Sequence, residues 1–124
     1  MKKVAHALIA IAKKLLAADW NEKAAADATL RYLRKMARPY ELDRVYESGN
    51  NQVSFSGWGG NFTIWFTQDE EGLGSSINVS GESPSEIDNI FSKYFDEMLF
   101  DNERDLEKSL ADCFDEVSDL LVTF

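Results

Sequence analysis

From Val53 to Ser80 the hydropathy alternates with period two, and on both sides of that stretch it recurs with a period near 3.6. Two changes of period within 124 residues constrain the fold more than any other feature. An antiparallel sheet in the middle, with helices before and after it, satisfies them and makes the chain an α+β domain. The clearest strand runs through Phe62, Ile64 and Phe66, which alternate with Thr63, Trp65 and Thr67. Val53 and Phe55 alternate with serines before it, and Ile77 and Val79 alternate with Asn78 and Ser80 after it. Tyr40 to Glu47 supplies a further strand, giving a sheet of three or four. Gly49-Asn50-Asn51 is a turn signal, Asp69 to Gly74 reads as a polar loop, and such short connections favour an antiparallel meander. Gly57-Trp58-Gly59-Gly60-Asn61 has neither the lysine nor the serine of a phosphate loop and leads into no helix, so it reads as a hairpin or bulge.

Two helices are expected on each side, in the order ααβββ(β)αα. Val4, Leu8, Ile11 and Leu15 form an apolar stripe over residues 2–18. Asp19 and Glu22 have capping-box spacing for a second helix over 20–38, which Pro39 stops. Lys23, Arg31, Arg34, Lys35 and Arg38 share its polar face. In Ser83-Pro84-Ser85-Glu86 the serine suits an N-cap, the proline a first turn and the glutamate a third position. An apolar stripe follows through Ile87, Ile90, Phe91, Tyr94, Phe95, Met98 and Leu99. Asp101 is placed to cap a fourth helix running to about Val122, with Leu106, Leu110, Cys113, Phe114 and Val117 inward. The competing arrangement is one long bent helix over 84–122.

The length suits a single domain over residues 1–124 with one sizeable core. Lys2 and Lys3 before an apolar run resemble a signal peptide, but Lys13 and Lys14 interrupt that run and the helical period continues past them. No segment approaches the ~20 apolar residues of a membrane span. One cysteine makes no internal disulfide, which fits a reducing cytoplasm and makes the sequons at Asn61 and Asn78 chance matches.

Candidate chemistry is sparse. His6, the single histidine, falls on a polar helix face without a neighbouring acid or nucleophile. One His and one Cys exclude a zinc site built mainly of nitrogen and sulfur within one chain. Asp101 to Asp112 resembles a calcium loop only at its start: Leu106 and Asp112 stand where glycine and glutamate are required. No metal or cofactor and no enzymatic activity are expected. An enzyme would need an acid-only or metal-carboxylate mechanism in a carboxylate-lined cleft.

Charge is more informative. Residues 1–50 hold ten Lys/Arg against six Asp/Glu, a net of +4; residues 51–124 hold three against sixteen, a net of −13. Asp101, Asp105, Asp112, Asp115, Glu116 and Asp119 fall on one side of the last helix, interrupted by Lys108. Either this face is solvated and offset by the basic face of the second helix, or it binds a basic protein surface of the kind that holds nucleic acid. The second alternative describes an inhibitor, immunity or phage anti-defence type of module; direct binding of nucleic acid or membrane is not expected. A structural or oligomeric subunit of a virion or larger complex is the other functional class, motivated by the apolar face around Ile90, Phe91, Tyr94, Phe95 and Met98. Trp65, and with it Trp58, is a candidate interface anchor if the second sheet face is open.

Overall fold

The computed structural model describes residues 20–123, so the helix expected over 2–18, with His6, lies outside the described residues. The described chain runs α1 (Glu22–Met36), β1 (Asp43–Gly49), β2 (Gln52–Gly57), β3 (Gly60–Asp69), β4 (Gly72–Gly81), α2 (Ser85–Phe95), β5 (Met98–Leu99) and α3 (Glu103–Thr123). The strands form one antiparallel meander in the order β1-β2-β3-β4-β5. The α+β class and antiparallel sheet are as expected, but the sheet has five strands rather than three or four.

Three hairpins set the register. Across the β2–β3 turn Gly57 pairs with Gly60, and the residues between, Trp58 and Gly59, have φ of 54° and 88°. Positive φ at both central positions is the type I′ requirement, which matches the right-handed twist of the flanking strands. A side chain at Gly60 would meet Ser83 Cβ at 2.6 Å, so only glycine lets the chain entering α2 cross there. Between β3 and β4, Asp69 pairs with Gly72 across Glu70-Glu71, and Asp69 Oδ1 accepts the Glu71 N–H at 2.8 Å. The expected loop over 69–74 is thus a tight turn, with Gly72 already in β4.

Helix boundaries shift from the expected ones for identifiable reasons. Asn21 caps α1, accepting the Ala24 N–H at 2.9 Å, and the helix ends at Met36 instead of 38. Ser83 does not cap α2. Pro84 occupies the N-cap, and the Ser83 hydroxyl instead donates to Asp88 Oδ1. Asn102, not Asp101, caps α3 by accepting the Asp105 N–H at 2.9 Å.

The single bent helix is overturned at Glu97. That residue takes φ 54°, so Met98 and Leu99 leave the helical path and pair with Ser75 and Gly74 as a fifth strand. Their apolar spacing continues the helical period, and no glycine marks the break, so the sequence does not announce it.

The three described helices pack on the sheet face that carries Val53, Phe55, Phe62, Ile64 and Phe66. Ala25, Ala26 and Ala28 let α1 approach the strands closely, while α3 packs on α1 and α2. Stacked Phe55 and Phe62 (4.9 Å between centroids) meet Phe91 of α2, and Phe91 meets Phe114 of α3 edge-on at 5.7 Å. One aromatic chain therefore runs from sheet to outermost helix. No described helix is long and apolar enough to cross a membrane.

Candidate protein interface on the last helix

The inward positions of α3 are Leu106, Leu110, Cys113, Phe114 and Val117, all buried. At 100° per residue these fix one side of the helix to α1 and α2 and turn the acidic residues away from it. Asp105, Asp115 and Asp119 are exposed, and Asp112 and Glu116 are half-buried at the margin. From Asp105 to Asp119 the carboxylates span about 21 Å along the axis. Asp101 is exposed but precedes the helix, in the turn that Asn102 ends.

Among the described residues the basic face of α1 makes no ion pair with the acidic stripe of α3. The described ion pairs that cross between elements are Lys23–Glu47, Arg31–Glu103 and Lys93–Glu116. Only Arg31 connects the basic face of α1 with α3, and its partner Glu103 lies outside the acidic stripe. Among the described residues Arg34, Lys35 and Arg38 form no ion pair. Among the described residues Asp105, Asp112, Asp115 and Asp119 have no ion-pair partner. Glu116 alone is engaged: Lys93 Nζ donates to its Oε1 at 2.7 Å and holds that carboxyl below the usual range.

This face opposes the local preferences of a helix. Asp112–Asp115, Asp112–Glu116 and Asp115–Asp119 are like charges at i,i+3 or i,i+4, each unfavourable by roughly 0.2–0.5 kcal/mol. Carboxylates in the C-terminal half also face the negative end of the helix dipole, and the last turn holds no basic residue. Packing by five buried side chains carries the helix in spite of this.

Trp58 and Trp65 differ. Trp58 rests on Phe62 and Phe91, with centroids 6.0 and 5.8 Å away, so it closes the core as much as it meets solvent. Trp65 points from the opposite sheet face, half-buried and outside the core cluster. The apolar face of α2 is used internally: Phe91 and Phe95 are fully buried, while Ile90 and Tyr94 pack against the core. Met98 and Leu99 remain exposed on β5.

Cys113 is buried, and desolvation pushes its thiol far above the ordinary value. It packs as a small hydrophobe. Among the described residues no three His, Cys, Asp or Glu side chains gather to hold a metal ion. Two carboxylates, Glu41 and Asp43, line a cavity of about 350 Å³ beside the β2–β3 turn, together with Arg44 and Trp58. Sequence reasoning missed this cavity because backbone bends create it: Glu41 and Arg44 both take positive φ without being glycine.

No protein-family model matches the chain, and no curated protein or solved structure shows significant similarity to it.

Proposed function

We propose that the protein is a non-enzymatic interaction module whose α3 presents carboxylates to a basic surface of another protein, of the type that otherwise holds nucleic acid. The supporting observation is that Asp105, Asp112, Asp115 and Asp119 are ion-paired to nothing among the described residues, although a basic helix face lies on the neighbouring element. Residues that violate local helix preference without internal compensation are expected where function requires them. A net charge of −9 adds long-range steering toward a cationic partner. Inhibitors and immunity-type proteins that occupy a nucleic-acid-binding groove work in this manner.

The assembly-subunit alternative rests on Ile90, Phe91, Tyr94, Phe95 and Met98; the first four pack within the fold, and Met98 stays exposed on β5. Affinity capture from the native cell, at low and high salt, tests the proposal. A partner should be retained at low salt and released as salt rises. Replacing Asp112, Asp115 and Asp119 together with lysine should weaken its binding by on the order of a hundredfold or more. Equal retention of the partner by this variant removes α3 from the mechanism.

A further inference from the structure

The sheet face opposite the helices has a different chemistry. From Gln52 to Ser56 on β2, Asn61 to Thr67 on β3 and Gly74 to Ser80 on β4, every outward position is Ser, Thr, Asn, Gln, Gly or Trp65. None is charged, in a chain with 35 charged residues among 124 (22 Asp/Glu and 13 Lys/Arg). The hydroxyls are ordered among themselves: Ser54 Oγ donates to Ser48 Oγ at 2.8 Å and lies 2.9 Å from Thr63 Oγ1. Trp65, half-buried, stands in this array between Gln52 and Ser76.

Toward β1 the face deepens. A groove of about 80 Å³ beside Tyr46, Ser54 and Thr63 shares Arg44, Ser56 and Asn61 with the 350 Å³ cavity at the β2–β3 turn. Glu41, Arg44 and Trp58, three non-glycine residues held at positive φ, line that cavity. Strained backbone of this kind gathers at ligand clamps. Asn61 to Trp65 spans about 13 Å along β3, longer than a single sugar ring.

We propose that this outer sheet face binds a neutral oligosaccharide, with Trp65 stacking on one sugar ring and the Ser, Thr, Asn and Gln side chains meeting its hydroxyls. A pyranose offers an apolar C–H face to an aromatic ring and hydroxyls that both donate and accept. The uncharged positions on β2, β3 and β4 suit an uncharged ligand, and Arg44 at the β1 edge, with Glu41 and Asp43 in the cavity, adds a donor and acceptors for hydroxyls. A phosphate polymer is repelled by the net charge of −9. A second copy of the chain would need an apolar centre to the interface, and this face offers little beyond Trp65 and Tyr46.

Amide and indole NMR spectra of the full chain, titrated with cellohexaose, maltohexaose and chitohexaose, test the assignment. At least one probe should shift the Trp65 indole with Thr63 and Ser76, equally at low and high salt. Trp65→Ala should bind it about tenfold more weakly, with unchanged far-UV circular dichroism. Gln52→Ala, a milder change, should weaken it less. No shift on β2–β4 from any of the three probes overturns the proposal. So does unchanged affinity in Trp65→Ala, a concentration-dependent dimer that Trp65→Ala abolishes, or a face that becomes accessible only when residues 1–19 are removed.

Discussion

On α3, Asp105, Asp112, Asp115 and Asp119 stand without ion pairs among the described residues; on the outer sheet face no side chain from Gln52 through Thr67 is charged. The two regions share one core, since Phe91 touches both Phe62 of the sheet and Phe114 of α3. Their recognition physics differs. Exposed carboxylates act over a Debye length, about 8 Å at physiological salt, and lose reach as salt rises. Hydroxyls, carboxamides and an indole act at contact distance and ignore ionic strength. Salt is therefore the variable that separates the two faces, and shared packing is the variable that joins them.

The largest expected effect removes the link. Phe91→Ala should cost about 3–5 kcal/mol, because the buried ring contacts both layers and leaves a cavity. Denaturant unfolding should show the acidic helix and the sheet lost in one transition. Separate transitions would mean that the faces belong to independently folding units.

A smaller change should move stability and recognition in opposite directions. Asp115→Asn with Asp119→Asn relieves like-charge contacts and the unfavourable dipole interaction, and should raise stability by about 0.5–1 kcal/mol. Thermal melting should show an increase of a few degrees while retention of the basic partner falls. A fall in melting temperature would show that these carboxylates stabilise the helix and would remove the argument from local conflict.

The smallest effect concerns Glu116, the one member of the acidic face that is engaged. Its carboxyl is held low by the hydrogen bond from Lys93. The pair's contribution is therefore complete above the ordinary glutamate value and is lost as pH falls through the lower, folded value. The Lys93 ammonium is held high by the same bond, so the contribution also disappears only at strongly alkaline pH. Both groups are at the surface, and Lys93→Met should lower the melting temperature by about a degree near neutral pH. The difference from the unaltered protein should vanish once the pH has fallen below the lowered Glu116 value. A difference that persists there would have to come from the Lys93 ammonium over the Tyr94 ring, 5.1 Å from its centroid.

Several features were legible from residue order alone. The period-two stretch located β2, β3 and β4 and which of their residues face the core, because a strand with one buried face must alternate. The inward residues of α3 followed from the 3.6 period, and the sidedness of the acidic residues followed with them. Other features depended on backbone conformations that no residue type announces. Glu97 in the left-handed region converts the end of an apolar helical stripe into β5, and Glu41 and Arg44 open a cavity where the sequence shows only a strand start.

Sequence by itself determined the α+β order, the inward faces and the inequality of charge between the two halves, since these follow from periodicity and composition. Tertiary structure alone decided that, among the described residues, the basic face of α1 makes no ion pair with the aspartates of α3. Helix spacing fixes which side of its own axis a charge occupies, but the crossing of two helices over a shared core fixes which charges meet. Here that crossing brings Arg31 to Glu103 and leaves the aspartates of α3 without ion pairs among the described residues.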